Sequence, residues 1–133
     1  MSINYEGQVA IVTGSGAGLG RSHALGLAAR GAKVVVNDLG SDGQNSAAAL
    51  AVVDEIVAAG GEAIANHANV ASMAEVQDMV QQTMAKWSRI DILVNNAGIL
   101  RDKSFGNMDI SDFELVVQVH LMGAANCSKA VWD

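Results

Sequence analysis

Gln8-Val9-Ala10-Ile11-Val12-Thr13-Gly14-Ser15-Gly16-Ala17-Gly18-Leu19-Gly20 is a short apolar run that gives way to a cluster of glycines. An apolar run without polar alternation suits a strand buried on both faces. Leu19 to Arg30, rich in Ala and Leu and stopped by Gly31, predicts a helix directly after it. Glycines at a strand-to-helix junction let backbone approach a pyrophosphate, and the free amides at the start of the helix bind it. The spacing G-x-G-x-x-G fails from Gly14, where Leu19 takes the last place, and from Gly16, where Arg21 does. The pattern that fits is Thr13-Gly14-x-x-x-Gly18-x-Gly20.

Outward from this junction the elements alternate. Lys33-Val34-Val35-Val36-Asn37-Asp38 predicts the second strand, and Ser46 to Ala59 a helix that ends at Gly60-Gly61. Ala63-Ile64-Ala65 is a brief third strand, and Ile90 to Asn95 a fourth. Ser72-Met73-Ala74-Glu75 and Ser111-Asp112-Phe113-Glu114 each have the form of a capping box, the first opening a helix through Trp87 and the second a long helix toward Trp132. Strands alternating with helices pair in parallel through right-handed crossovers. The expected architecture is a doubly wound α/β sheet of Rossmann type, partial, with strand order 3-2-1-4, residues 1–133 forming one nucleotide-binding half-domain.

Asp38 ends the second strand, 18 residues after Gly20 (38 − 20). A carboxylate there accepts hydrogen bonds from a ribose diol and repels a 2′-phosphate, and Leu39 and Gly40 supply no cation to offset that repulsion. NAD is therefore expected over NADP. An S-adenosylmethionine-binding fold also places a glycine turn after the first strand and an acid after the second. It ranks below NAD because Val12 and Thr13 stand where such folds carry an acid before the glycines.

The net charge of −6 and only 8 Lys and Arg leave no basic surface for nucleic acid or an anionic membrane, so neither is an expected partner. One cysteine, Cys127, and no pair of histidines at ligand spacing imply no metal and a reducing compartment, expected to be the cytoplasm, or a peroxisome in a eukaryote.

Asn95-Asn96-Ala97-Gly98 after the fourth strand, joined to Thr13-Gly14-x-x-x-Gly18-x-Gly20, resembles the short-chain dehydrogenase/reductase family. Val36 to Gly40 and Gly98 to Phe105 resemble its (3R)-hydroxyacyl-CoA dehydrogenase branch, found in multifunctional enzymes of type 2 and bacterial relatives. The resemblance covers nearly the whole chain but only the N-terminal half of the family fold. It implies that Gly14, Ser15, Gly18, Leu19 and Gly20 line the pyrophosphate, that Asp38 holds the adenosine ribose, and that Asn69-Val70 lies beside adenine. It also implies that Asn96, Ala97 and Gly98 follow the nicotinamide half, although such a segment can equally tie adjacent loops together. His120, in Val119-His120-Leu121-x-Gly123, takes the place where many relatives carry an Asn that supports a proton-relay water, which makes it the one candidate catalytic residue. A histidine in an apolar helix is more often a hydrogen-bonded structural residue.

The family's chemistry resides in a Ser and a Tyr-x-x-x-Lys pair, and these 133 residues contain no Tyr-x-x-x-Lys; their sole Tyr is Tyr5. The chain is expected to stop short of the catalytic segment, to be inactive alone, and to associate with a second copy or a complementing chain that covers its fourth strand and last helix. The activity expected of the whole is hydride transfer between NAD and a secondary alcohol, a 3-hydroxyacyl-CoA. The rival reading is a non-catalytic dinucleotide-binding or partner-binding module.

Overall fold

The computed structural model describes residues 3–133. Four strands form one parallel sheet: β1 (Val9–Val12), β2 (Lys33–Asn37), β3 (Ala63–Asn66) and β4 (Ile92–Val94), in the order β3-β2-β1-β4. The expected strand order is thus the observed one. Every residue of β1 is buried, as its unbroken apolar run requires.

Helices α1 (Gly18–Ala29) and α2 (Ala47–Ala58) cover one face, and α3 (Met73–Trp87) covers the other together with the end of the chain. The pleat distributes side chains between the two cores. Val34 and Val36 pack with Ala24, Val52 and Ile56 on the first face. Val35, between them, packs with Val76, Met79 and Cys127 on the second. Gly31 closes α1 with φ +100°, a left-handed geometry that favours glycine.

The last helical stretch is three pieces: α4 (Ile110–Val117), a π-turn over Gln118–Met122, and α5 (Gly123–Val131). Its expected capping box is absent. α4 starts one residue before Ser111, and its N-cap is Asp109, whose carbonyl accepts from Asp112 N and Phe113 N. Ser111 therefore lies within the first turn and caps nothing. The box at Ser72 is half made: Ser72 Oγ accepts from Glu75 N at 3.4 Å, while the Glu75 carboxylate reaches Asn69 N at 3.3 Å. Ser72 N already donates to the Asn69 carbonyl, so the returning half of the box has no donor left to take.

Ile110, Phe113, Leu121 and Trp132 are exposed along this stretch, and β4 forms a half-buried sheet edge. Among the described residues no helix is long and apolar enough to cross a membrane.

Asp91 fastens the start of β4 to β1. Its carboxylate accepts from Val9 N at 2.8 Å and its own N–H donates to the Val9 carbonyl at 2.8 Å. Arg89 donates to the same carboxylate through Nε at 2.8 Å and Nη2 at 2.6 Å. The Arg89 hydrogen bonds, helped by Val9 N–H and the charge of Arg89, outweigh burial and hold the Asp91 carboxyl below its ordinary value of 3.8. A depressed folded-state value contributes stability above the unfolded value and loses it as pH falls through the folded one. Asp91→Asn should therefore cost about 1 kcal/mol at pH 7, a figure that allows for solvent around Arg89. Denaturation curves should show the deficit shrinking as pH drops below about 3.8. A deficit that stays constant down to acid pH would remove the ion pair from the account.

Candidate nucleotide-binding site

The site begins where β1 ends, at the point where the sheet runs to β2 on one side and β4 on the other. Crevices at the carboxyl ends of strands beside such a switch are where open α/β sheets bind ligands. Gly14 leaves the strand with φ +62°, and a Cβ on it would lie 2.8 Å from the Ala97 Cα. The loop from β1 and the loop from β4 thus touch backbone to backbone. Thr13 and Asn96 join them. Thr13 Oγ1 accepts from Asn96 N and Ala97 N, each at 3.0 Å, and Asn96 Nδ2 donates to the carbonyls of Thr13 and Gly14 at 3.0 and 3.1 Å.

Ser15 turns inward. Its hydroxyl donates to the Val12 carbonyl at 2.8 Å, and its N–H to the Asn37 carbonyl at 2.8 Å. Both of its donors are engaged within the protein, so Ser15 shapes the loop and has no donor left for a phosphate. The start of α1 is different. Its N-cap is Ala17, which has no side-chain acceptor to offer. The first-turn amides, including those of Gly18, Leu19 and Gly20, consequently have no intrahelical or capping partner. Gly18 has φ +59° and nothing within 4 Å of where its Cβ would stand. An uncapped helix start behind an open approach is an anion-binding arrangement.

Asp38 stands at the end of β2, partly buried, with its Oδ2 accepting from Ser46 Oγ at 2.7 Å. Asn37, the residue before it, is buried and holds the floor of the site. Its Nδ2 donates to Asn66 Oδ1 at 3.0 Å and the Ala68 carbonyl at 3.1 Å, and its Oδ1 accepts from Gly14 N at 3.4 Å. Asn66 in turn donates to Gln82 Oε1 at 2.8 Å, so a chain of amides runs from α3 to the glycine loop. Asn37→Ala would leave buried Asn66 and Ala68 acceptors short of a donor, at about 2 kcal/mol. A midpoint lowered by roughly 6–8 °C is the expected result in thermal unfolding. An unchanged midpoint would mean that water replaces the amide there.

Gly14, Asp38, Asn69, Val70, Ala97 and Gly98 line one crevice of about 120 Å³. Asn69 Oδ1 accepts from Ala71 N at 2.9 Å, which folds the turn beneath the crevice, and Val70 packs closely enough on Gly123 that a Cβ there would meet its Cγ2 at 2.6 Å. His120, in the π-turn, lies over Gly98. Its Nε2 is 3.0 Å from Ile99 N and 2.9 Å from the Ile99 carbonyl oxygen. A larger cavity of about 720 Å³ opens at the opposite ends of the strands, between Leu25, Gly31 and Gly61. It has neither Asp38 nor the Gly14 turn, so the chemistry favours the smaller crevice. Cys127 is buried in the second core, and burial pushes its thiol up to about 11, which keeps it unreactive. Among the described residues no group of three His, Cys, Asp or Glu is placed to hold a metal.

Sequence reasoning missed the parts that support the crevice: Gly16, Asn37, Ser46, Asn66 and Gln82. Asn37 had a signal, since a polar residue at the end of a buried β-branched strand needs partners. Asn66 and Gln82 had none in their local sequence.

The short chain dehydrogenase family model matches residues 8–133. The chain belongs to the short-chain dehydrogenase family. Within that family it is 50% identical over 137 aligned residues to peroxisomal multifunctional enzyme A of Dictyostelium discoideum, covering all of this chain and 30% of that protein. It is 52% identical over 124 residues to a 3-oxoacyl-[acyl-carrier-protein] reductase of Synechocystis, covering 93% of this chain and 49% of the other. The chain thus spans half or less of the length of these relatives. A crystal structure of a short chain dehydrogenase from Mycobacterium avium superposes with a TM-score of 0.89 at 46% identity, over 95% of this chain and 45% of that one.

Proposed function

We propose that this chain is the cofactor-binding half of an NAD-dependent oxidoreductase that moves a hydride between NAD and a secondary alcohol, with a 3-hydroxyacyl thioester as the substrate class. The carrying observation is a crevice at the carboxyl ends of the strands that Asp38 and Gly14 line, with the uncapped start of α1 packed against Gly14 through Gly20. Bound NAD would supply the hydride acceptor.

The residues present fit such a group. The amides of Gly18, Leu19 and Gly20 would hold the pyrophosphate, and Gly18 leaves open the approach that a side chain would fill. Asp38 would accept from the adenosine ribose, Asn69 and Val70 would flank adenine, and Ala97 and Gly98 would follow the nicotinamide half. Asn96 acts from behind as the clasp between the two loops. His120 positions the Gly98-Ile99 backbone through Nε2. Among the described residues its ring hydrogen-bonds only to the Ile99 backbone, which supports a positioning role over proton exchange with substrate.

Oxidation of an alcohol releases a hydride to the nicotinamide and a proton to a base close to the hydroxyl. Among the described residues Asp38 is the one titratable group lining the crevice, and this reading gives it to the ribose, so we take the chain by itself to bind cofactor without turnover. We place a second copy or a complementing chain against Phe113, Leu121 and the β4 edge, and the assembly in the cytoplasm or a peroxisome. Calorimetric titration with NAD and NADP tests the reading: NAD should bind at least tenfold more tightly. Equal affinities, or no binding of either, would refute it.

A further inference from the structure

We propose that Ser46 is a positioning residue for the Asp38 carboxylate and so sets how strongly the crevice selects an unphosphorylated ribose. The inference rests on the NAD reading above and adds a residue to it.

The Ser46 hydroxyl carries one proton. It donates that proton to Asp38 Oδ2 at 2.7 Å while accepting from Ala49 N at 3.0 Å, as the N-cap of α2. The Ala49 amide occupies a lone pair on Oγ, so the hydroxyl is oriented toward the carboxylate by the helix itself. The opposite side is fixed by Gly16, which is buried. A Cβ there would overlap Asp38 Oδ2 and lie 2.7 Å from its Cγ and 3.1 Å from the Ala48 Cβ. Asp38 is therefore bracketed between a backbone without a side chain and a hydroxyl whose oxygen the Ala49 amide holds in place.

Among the described residues no donor reaches Asp38 Oδ1. One oxygen is held by the protein and the other is available to a ligand hydroxyl. An acceptor already fixed in place loses less rotamer freedom when a diol binds, which raises affinity through pre-organisation. The same fixation holds the negative charge where a 2′-phosphate would have to sit.

The test separates this role from capping. Gly is nearly as good as Ser at an N-cap but has no hydroxyl. Ser46→Gly in the full chain should leave the melting midpoint within a few degrees, raise the Kd for NAD roughly fivefold to tenfold, and change the weaker NADP binding less, lowering the NAD/NADP ratio. Ser46→Thr, which keeps both hydrogen bonds, should restore wild-type affinity. In an Asp38→Ala background Ser46→Gly should change nothing further. An unchanged Kd for NAD, equal weakening of NAD and NADP, or an undiminished effect without Asp38 would each overturn the proposal. If Asp38→Ala itself weakens NAD while Ser46→Gly does not, only the role of Ser46 falls. If Asp38→Ala leaves NAD binding intact, the NAD reading falls with it.

Discussion

Gly20→Ala is expected to abolish nucleotide binding and to lower the melting midpoint by roughly 10 °C. Gly20 is buried in the first turn of α1, where a Cβ would overlap Asn96 Nδ2 and the Gly14 carbonyl and lie 2.9 Å from the Ser15 Cα. Two of these neighbours are backbone and cannot step aside. The third is the amide that clasps Thr13 and Gly14 to β4, and a methyl in its place forces it off both carbonyls. Overpacking of this kind costs about 1–3 kcal/mol, and the two hydrogen bonds add about 1 kcal/mol each. The loop moves as well, because Gly14 is in contact with Ala97 and cannot retreat toward β4. Gly18→Ala makes the informative contrast. Its φ of +59° imposes about 1–2 kcal/mol of strain on any L side chain, yet its Cβ would meet nothing within 4 Å. Nucleotide binding should fall with a smaller thermal penalty, because the added methyl stands in the approach to the amides and leaves the clasp intact. Scanning calorimetry and NAD titration on the two variants check the pair of expectations. A Gly20→Ala protein that melts at the wild-type midpoint would show that Asn96 does not hold the loop.

The difference between these glycines could not be read from their spacing. Gly18 and Gly20 are equivalent as letters in a motif, and the distinction depends on Asn96, which lies 76 positions beyond Gly20 (96 − 20) in the chain. The strands were readable because burial on both faces leaves a local trace: Val9 to Val12 and Val34 to Val36 cannot alternate with polar residues if both sides of the sheet are covered. Their order followed from the doubly wound pattern, which adds strands on one side of β1 and then crosses to the other, while the handedness of the crossovers fixes the face on which each helix lies. Asp38 was readable because its distance from the glycines is set by the length of one helix and one strand. The hydrogen-bond partners were not, since a side chain's partner is decided by whatever the fold brings near it. Ser111 illustrates the limit. It has the sequence form of a cap, but Asp109 supplies the extended residue and α4 has begun before Ser111 is reached. The π-turn at Gln118–Met122 likewise has no local signature, although it carries His120 to the Ile99 backbone.

Asp38→Asn is expected to reduce the NAD-over-NADP preference by about a thousandfold. Asn keeps the size of the side chain but only one acceptor oxygen, so the Ser46 hydroxyl or the ribose hydroxyl keeps its hydrogen bond, not both; the change removes the charge and one acceptor. The magnitude follows from the repulsion removed. Two like unit charges about 4 Å apart at an effective dielectric near 20 interact by about 4 kcal/mol, and each 1.4 kcal/mol is about tenfold in Kd. NAD has no 2′-phosphate, so its affinity should drop only about tenfold, the difference between a charged and a neutral acceptor. Most of the thousandfold therefore appears as tighter NADP binding. Salt separates this from a rearranged loop: screening should weaken the wild-type discrimination between 0.01 and 1 M as the Debye length shortens from about 30 to 3 Å, and should leave the variant's ratio nearly flat. A variant that loses NAD affinity without gaining NADP would mean that Asp38 holds the ribose but that something other than its charge excludes the phosphate. With Leu39 and Gly40 next in sequence and no cation among them, steric closure by the 39–46 segment would then be the surviving explanation.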